Sequence, residues 1–325
     1  MSEKLIVHLT FPLSPRDDEY LPFPPLKGGA GPCGAYCDAL ASEIAAAAPD
    51  FSGYEVASVR LDGAIPSMMS GNQFRGLMRA LHRGFALAPR CELSLRVAPL
   101  LMSADLIGSL DSAFRLNLDL DFVSAVDKEL TTVHALYRYG AVQDMMELVH
   151  CFNIEDYGFD VRYGLYHQTP KSLVYSLDAA LDLSPTHLTL SPFVARPGSR
   201  CEAEEKAGEL AAVSADARAE LLEAGRAHLA EKGFEEYAPG RFALPGHRVA
   251  YWEQYAAGCA LLGAGLGARS AFEDMELVNT TNFAAYVASP QDPAVTVASS
   301  RILSEDELAQ EKSRRAEDLA DPHRV

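Results

Sequence analysis

The sequence is poor in positive charge and in cysteine. It has 28 lysines and arginines against 45 aspartates and glutamates, which gives a formal net charge of −17. Such an acidic chain is not expected to bind nucleic acid, because a phosphate backbone attracts clusters of Lys and Arg and repels carboxylates. Six scattered cysteines in 325 residues do not make the framework of a disulfide-rich protein.

Long apolar runs are also missing. The nearest is CALLGAGLGA, well short of the about 18 residues that a membrane span needs. The first residues, MSEKLIVHLTF, lack the basic region, the long apolar region and the cleavage site of a signal peptide. With 48% hydrophobic and 22% charged residues, the composition is globular. The sequence therefore predicts a cytoplasmic protein with no membrane span, built as one large domain or two.

The first two thirds of the chain alternate short apolar segments with amphipathic ones. The predicted strands are Leu5–Phe11, Glu55–Leu61, Glu92–Val97, Arg115–Phe122, Phe159–Leu165 and His187–Phe193. Between them, stretches such as NQFRGLMRALHRGF repeat apolar residues at three- and four-residue spacing, as helices with one buried face do. This order predicts an α/β fold with a parallel sheet and right-handed crossovers. A doubly wound sheet and an incomplete barrel both fit, and polar residues at the strand ends favour the barrel.

A Pro/Gly break at ARPGS (195–199) predicts a domain boundary near residue 200. After it we expect one long helix from Ala203 to Lys232, then short strands around PGRFALPGHRVAYW and a Gly-rich segment. The charged tail RILSEDELAQEKSRRAEDLADPHRV predicts a solvated helix with a frayed end.

Nine short motifs span nearly the whole chain. They are VHLTF (7–11), YCDALASEI (36–44), LDGAIPSMMS (61–70), CELSLRVAP (91–99), RYGLYHQT (162–169), HLTLSPFVARPGS (187–199), PGHRVAYW (245–252), GAGLGARS (263–270) and NTTNFAAY (279–286). In this order they resemble the oxygen-independent coproporphyrinogen III oxidase and haem chaperone family of radical SAM proteins. The resemblance implies a partial (β/α)6 TIM-like barrel of the radical SAM type over residues 1–199. It further implies a smaller C-terminal α+β domain over residues 200–325.

The resemblance would also imply a [4Fe–4S] cluster held by C-x3-C-x2-C after the first strand. Aligning Phe11 with the family places Pro12, Arg16 and Glu19 at the three cysteine positions. None of these side chains is a thiolate, the ligand that holds such clusters. The sequence therefore predicts no [4Fe–4S] cluster.

Cys33 and Cys37 form a C-x3-C pair, but Leu40 stands at the third position. We expect both cysteines inside the first helix, one turn apart, as small buried hydrophobic residues. A two-ligand metal site or a regulatory disulfide is the alternative for this pair.

The family's SAM site is altered as well. Asp62-Gly63-Ala64-Ile65 replaces a glycine-rich strand end, so side chains stand where backbone would approach the cofactor. Arg96 stands where the family has an acidic SAM contact. We therefore expect no SAM binding, and a protein that kept the scaffold but lost the radical chemistry.

Ligands of barrel proteins bind at the carboxyl ends of the strands, the barrel mouth. The polar residues that the motifs place there are Asp62, Arg96, Asp119, Asp121, Tyr166, His167, Gln168, Arg196 and Arg269. We expect Asp62 and Arg96 to form a salt bridge, since opposite charges near one buried site pair. The alternative is that Arg96, Arg196 or Arg269 binds the propionate carboxylates of a porphyrin. His167 replaces a glycine of the family's GLPGQT turn and is expected in a loop, with a role as a ligand as the alternative.

A further motif lies beyond the boundary. The segment from His247 to Trp252, HRVAYW, resembles the H-N-x-x-Y-W motif that the family's haem chaperones associate with haem binding, with Arg248 in place of the Asn. The resemblance implies that His247 binds haem iron, that Tyr251 and Trp252 flank the porphyrin, and that Arg248 supplies a cation. Alternatively, the two aromatic residues anchor the packing of the C-terminal domain.

Three functions remain open from the sequence. The first is a non-catalytic, cluster-less homologue that binds haem or a porphyrin, acts in haem trafficking or porphyrin metabolism, and passes haem to an acceptor protein. The second is a porphyrinogen oxidoreductase whose cluster is held unconventionally by Cys33, Cys37 and a distant ligand. The third is an interaction scaffold with no small-molecule role. The missing cysteine triad argues against the second, and His247 with its aromatic neighbours favours the first.

Overall fold

A computed structural model describes residues 3–15, 26–110 and 113–320. Its strands are β1 (Glu3–Phe11), β2 (Leu13–Ser14), β3 (Leu26–Lys27), β4 (Tyr54–Gly63), β5 (Ala86–Val97), β6 (Arg115–Val123), β7 (Tyr157–Tyr163), β8 (His187–Pro192), β9 (Glu235–Ala238), β10 (Arg241–Ala243), β11 (Ala260–Ala264), β12 (Arg269–Phe272), β13 (Met275–Asn279) and β14 (Val297–Ile302). Its helices are α1 (Ala30–Ala47), α2 (Gly71–Gly84), α3 (Ala104–Ile107), α4 (Asp127–Thr132), α5 (Tyr139–Cys151), α6 (Pro170–Leu181), α7 (Arg200–Lys206), α8 (Ala215–Glu231), α9 (Ala250–Ala256), α10 (Phe283–Ala288), α11 (Pro293–Thr296) and α12 (Glu305–Ala320). No described helix is long and apolar enough to cross a membrane.

The six strands expected from the sequence all form, as β1 and β4 to β8. They pair in parallel in chain order, β1-β4-β5-β6-β7-β8. A doubly wound sheet would reverse its strand order at a switch point, whereas this order is that of a barrel-type sheet. The predicted α/β fold with a parallel sheet is confirmed, and the strand order is that expected of a partial barrel.

The segment after residue 200 extends both edges of the parallel sheet. Strand β10 pairs antiparallel with β8, and β11 pairs parallel with β1. The described sheet therefore runs from β14 at one edge to β9 at the other. The division into residues 1–199 and 200–325 stays a prediction.

Local signals in the sequence explain where several helices begin. Ser70 and Gln73 form a capping box that starts α2 after the loop at the end of β4. Thr169 caps α6 with Pro170 in its first turn, where the missing N–H of proline costs nothing. Both helices follow strands of the parallel sheet, so these caps fix where the loops at the barrel mouth end.

Two expectations about the C-terminal helices are wrong. The single helix from Ala203 to Lys232 is two helices, α7 and α8, because the chain turns at Gly208, with φ +74°, and Ser214 caps a new start. The tail helix α12 is not solvated all round. Its Arg315 is only 2% exposed, because an ion pair with Glu311 and the ring of Tyr255 compensate its charge.

A half-buried carboxylate, that of Glu43, joins the C-terminal segment to the first helix. Glu43 on α1 accepts hydrogen bonds from the Tyr286 hydroxyl (2.5 Å), the Asn279 side chain (2.6 Å) and the Gly265 N–H (2.8 Å). Burial raises the pKa of Glu43, and these three donors oppose that rise. The motifs GAGLGARS and NTTNFAAY thus supply the donors that hold β11 and α10 against α1.

Gly63, at the end of β4, is a position where only glycine fits. Its φ is +116°, and a Cβ there would lie 2.5 Å from the carbonyl oxygen of Phe11. We expect Gly63→Ala to lower the free energy of unfolding by at least about 2 kcal/mol, because backbone strain and a backbone clash add. Urea denaturation measures the change.

Gly53→Ala is the matched control, since a Cβ at Gly53 meets no atom within 4 Å. We expect its stability to be unchanged or to rise by up to about 1 kcal/mol. Equal effects of the two substitutions would contradict the constraint at Gly63.

Candidate functional site

Charged side chains of neighbouring strands surround a central cavity of about 70 Å³. Residues two apart on a strand face the same side of the sheet, so alternate residues of β4 to β8 meet here. The lining residues are Arg60, Asp62, Arg96, Asp119, Asp121, Asp160, Arg162, Thr189, Ser191, Pro192, Arg241, Trp252 and Leu319. Pockets that enclose cofactor-sized ligands measure about 300–1,000 Å³, so this cavity is small and polar.

Two arginines bridge three aspartates across strands β4, β5 and β6. Arg60 contacts Asp62 at 2.5 Å and also forms a salt bridge with Asp119. Arg96 contacts Asp121 at 2.8 Å and Asp62 at 3.6 Å. The expected pairing of Asp62 with Arg96 is confirmed as part of a larger network, which also engages Asp121.

The network sets the ionisation of its carboxyl groups. Burial opposes ionisation of Asp62, but Arg60 and Arg96 outweigh it and lower its pKa to about 2. The pKa of Asp119 is also lowered, because Arg60 and His187 outweigh burial. Burial raises the pKa of Asp121, with Asp160 adding to the rise and Arg96 opposing it.

Four charged lining residues had not been identified from the sequence: Arg60, Asp160, Arg162 and Arg241. Arg162 contacts Asp160 at 3.0 Å, and Asp160 also accepts a hydrogen bond from Ser191 at 2.7 Å. A signal was available, because charged residues alternate with apolar ones in RLD (60–62), DLD (119–121) and DVR (160–162). Such alternation places charges on one face of adjacent strands.

His247 lies at the amino ends of the strands, away from the barrel mouth. Its Nδ1 is 2.7 Å from an oxygen of Asp156, the residue before β7. Asp156 also accepts two hydrogen bonds from Arg115, the first residue of β6. By contrast, Asp62 and Arg96 stand next to the carboxyl ends of β4 and β5. The structure therefore separates the HRVAYW motif from the residues of the mouth.

Glu92 holds the start of helix α9. Its two carboxylate oxygens accept hydrogen bonds from the backbone N–H groups of Ala250 and Tyr251, at 3.0 and 3.1 Å. A carboxylate at a helix N-terminus satisfies unpaired N–H groups and interacts favourably with the helix dipole. Glu92 thus fixes the position of α9, which carries the aromatic part of the motif.

Tyr251 and Trp252 are buried, whereas His247 and Arg248 are partly exposed. The rings of Tyr251 and Trp252 pack edge to face at 5.0 Å between centroids. Arg248 forms exposed salt bridges with Glu235 and Glu253. The motif is therefore divided between the surface and the interior, and this burial supports packing as the role of the two aromatic residues.

The remaining residues expected at the mouth lie outside the lining of the cavity. Arg269, on β12, forms salt bridges with Glu276 and Glu311. His167 is exposed in a turn with φ +62°, which fits the family's glycine at this place. Gln168 is buried, and its amide binds the backbone of Gly164 and Arg162 in the same turn.

The two remaining candidates of the mouth are buried. Tyr166 donates a hydrogen bond from its hydroxyl to Glu205. Arg196 lies in the loop that follows β8. Neither of them lines the central cavity.

The cysteine pair lies where the sequence placed it. Cys33 and Cys37 are one turn apart in α1 and both are 2% exposed. The Cys33–Cys37 hydrogen bond lowers the pKa of the Cys33 thiol and raises that of Cys37. Pro12 follows β1, while Arg16 and Glu19 lie outside the described residues. In the described part of the chain, no three His, Cys, Asp or Glu side chains are grouped to hold a metal ion.

Curated proteins similar to this chain include haem chaperones and porphyrinogen oxidases. The heme chaperone HemW of Mycobacterium tuberculosis is 26% identical over 249 residues, which cover 75% of this chain and 63% of that protein. HemW of Synechocystis sp. is 24% identical, covering 73% of this chain and 57% of that protein. The oxygen-independent coproporphyrinogen III oxidase of Escherichia coli is 25% identical, and the alignment covers 66% of this chain and 47% of that protein. The chain thus spans less than two thirds of these relatives.

The fold has a solved counterpart. The structure of coproporphyrinogen III oxidase (HemN) from Escherichia coli, described as a radical SAM enzyme, matches with a TM-score of 0.79 and 19% identity, covering 97% of this chain and 75% of that chain. No family model matches the chain. The resemblance to the coproporphyrinogen oxidase and haem chaperone family is confirmed by these relatives, and the radical SAM fold by this structure.

The network around Arg60 makes a pH-dependent prediction. Arg60→Met leaves Asp62 and Asp119 buried without their main partner, so we expect the free energy of unfolding to fall by about 3–5 kcal/mol at pH 7. In the wild type both carboxyl groups have a lowered pKa when folded, so their contribution is present above about pH 4 and is lost as the pH falls towards 2. The variant lacks this contribution. Urea denaturation at pH 7 and pH 3 should therefore show that the difference in the free energy of unfolding between Arg60→Met and the wild type is smaller at pH 3 than at pH 7.

Arg226→Met is the control, because Arg226 pairs with Glu223 and Glu236 at the surface. Such pairs contribute at most about 1 kcal/mol. Two results would contradict the network as a source of stability. One is a decrease in the free energy of unfolding for Arg60→Met no larger than that for Arg226→Met, and the other is a decrease that does not depend on pH.

Proposed function

We propose that this protein binds haem or a related porphyrin as its cargo, acts in haem trafficking or porphyrin metabolism, and carries out no radical chemistry. The names of its curated relatives support the first part, since they are heme chaperones and coproporphyrinogen oxidases. The alignments cover most of this chain but less than two thirds of those proteins, so the activity is inferred from this chain's own residues as well.

The observation that carries the proposal is the pairing of His247 with Asp156. A histidine that donates Nδ1–H to a carboxylate keeps the lone pair of Nε2 available for a metal, and the carboxylate raises its basicity. The His247 side chain is 41% exposed while its Nδ1 stays 2.7 Å from Asp156. Nε2 is thus the ligand atom that would bind haem iron from the solvent side.

The rest of the motif supports this histidine indirectly. Tyr251 and Trp252 fix α9 against the parallel sheet, and Glu92 holds the first turn of that helix. Helix α9 begins three residues after His247, so anchoring it also limits the positions that the imidazole takes. In this proposal the aromatic residues orient His247, the ligand of the haem iron. Arg248, which is paired with Glu235 and Glu253, lies at the rim of the haem site.

The absence of radical chemistry is supported by the chemistry of the donor set. The side chain of Pro12 has no ligand atom, and Cys33 and Cys37 are buried in a helix, where their thiols are hydrogen-bonded to each other. A cluster needs three thiolates that converge on one point, and the described residues offer no such group. The cavity of about 70 Å³, lined by the salt bridges of Arg60 and Arg96, is smaller than the pockets that enclose cofactor-sized ligands, which supports the loss of the SAM site.

Haemin titration tests the ligand. We expect wild-type protein to give a shifted Soret band and quenched fluorescence of Trp252, the only tryptophan. His247→Ala should move the band and weaken binding at least about tenfold, because the axial ligand is removed. Asp156→Asn should weaken it about tenfold with the band less changed, because the imidazole is kept but its orientation is not.

His150→Ala, at an exposed histidine on α5, is the matched control and should bind haemin as the wild type does. If His247→Ala still binds haem with an unaltered spectrum, His247 is not the axial ligand, and His167 is the next candidate. No binding at all would contradict the proposed cargo and favour the scaffold alternative.

Anaerobic reconstitution with iron and sulfide tests the loss of the cluster. We expect the protein to gain no stable [4Fe–4S] absorption near one cluster per chain, because the three thiolates are missing. Iron and sulfide analysis of the desalted protein gives the measurement. A stoichiometric cluster that disappears in Cys33→Ser or Cys37→Ser would overturn this part of the proposal and favour the oxidoreductase.

A further inference from the structure

Arg241 is a buried charge that forms no salt bridge with any described residue. It is 8% exposed, and its Nε has no hydrogen-bond partner among the described residues. Buried guanidinium groups normally pair with carboxylates, because an unpaired buried charge is strongly unfavourable. Asp160 and Asp119 attract this guanidinium group without forming a salt bridge with it, so its Nε–H needs an acceptor that the described side chains do not supply.

The carboxylates of the cavity are already engaged by other arginines. Asp62 and Asp119 pair with Arg60, Asp121 pairs with Arg96, and Asp160 pairs with Arg162. Each of these four aspartates has a guanidinium partner within 4 Å, and none of these partners is Arg241.

A second cation lies close to Arg241. The guanidinium carbons of Arg60 and Arg241 lie 4.3 and 4.5 Å from the centroid of the same ring, that of Trp252. An aromatic face stabilises a cation, but two like charges beside one ring repel each other. Arg60 already has Asp62 and Asp119 as partners, so Arg241 is the cation of the two that would gain from an added anion.

A second donor in the cavity also lacks an acceptor. The Nε of Arg162 is buried and has no hydrogen-bond partner among the described residues, although its Nη2 contacts Asp160. Guanidinium N–H groups only donate, so a ligand that satisfies both arginines must accept hydrogen bonds. The cavity of about 70 Å³ limits that ligand to a group of a few atoms.

We propose that the central cavity binds a carboxylate group, held by the guanidinium groups of Arg241 and Arg162 beside Trp252. A carboxylate is small and planar, accepts hydrogen bonds, and matches the fork of guanidinium donors. It belongs either to a free small organic acid or to the acidic side arm of a larger ligand. The site is separate from His247, so it does not depend on haem binding there.

Fluorescence of Trp252 reports on the site directly, since it is the only tryptophan and lines the cavity. Titration with sodium acetate at constant ionic strength should change the emission saturably, with half-saturation in the millimolar range expected for so small a ligand. Sodium chloride and the neutral isostere acetamide should give no saturable change. The melting temperature should rise with acetate over the same concentrations.

Substitutions make the test specific. Arg241→Met removes the unpaired charge and keeps an apolar side chain, so we expect a melting temperature in chloride equal to or above that of the wild type and no response to acetate. Arg162→Gln should raise the acetate concentration at half-saturation at least about fivefold, because one guanidinium donor is lost. Arg83→Gln, at an exposed arginine on α2, should respond as the wild type does.

Repeating the acetate titration with saturating coproporphyrin distinguishes the two sources of the carboxylate. Loss of the acetate response would identify a porphyrin side arm as the occupant, and an unchanged response would identify a free acid. An acetate response that persists in folded Arg241→Met, or no saturable response in the wild type, would overturn the site. Failure of haemin binding at His247 with an intact acetate response would overturn the proposed function but not this inference.

Discussion

Compensation of buried charge is the constraint on which the interior of this protein depends. Four arginines and four aspartates line one cavity, where a single uncompensated charge would destabilise the fold. Strands β4, β5 and β6 meet this constraint by alternating charged and apolar residues, so that Arg60 and Arg96 each reach two carboxylates. The register of the parallel sheet brings those partners together, since Arg96 lies opposite Asp119 and diagonal to Asp121.

The same constraint links the C-terminal segment to the sheet. Trp252 on α9 lies against the guanidinium groups of Arg60 and Arg241, and Leu319 on α12 lines the same cavity. Two further carboxylates, the half-buried Glu43 and the buried Glu92, accept hydrogen bonds from backbone and side-chain donors of this segment. The C-terminal segment is therefore held by buried polar contacts as well as by apolar packing, and such contacts fix one arrangement more strictly than apolar contacts do.

That arrangement gives the protein two chemically distinct regions. At the amino ends of the strands, Asp156 orients an exposed imidazole, His247, which suits a ligand that approaches from solvent. On one face of the sheet, the cavity lined by four arginines suits a small anionic group. Trp252 belongs to the HRVAYW motif yet lies in the cavity, so helix α9 connects the two regions physically.

The sequence by itself determined the six parallel strands, the family resemblance and the place of Cys33 and Cys37, because periodicity and local motifs act over a few residues. Tertiary structure decided which charges are paired: Arg269 forms salt bridges with Glu276 and Glu311, whereas Arg241 forms no salt bridge within the part of the chain that the structure describes. The tertiary structure also decided that α12 is partly buried, because Arg315 contacts Glu311 and Tyr255 there. A charged residue looks the same in sequence whether water or a distant side chain compensates its charge, and only the fold determines which of the two does so.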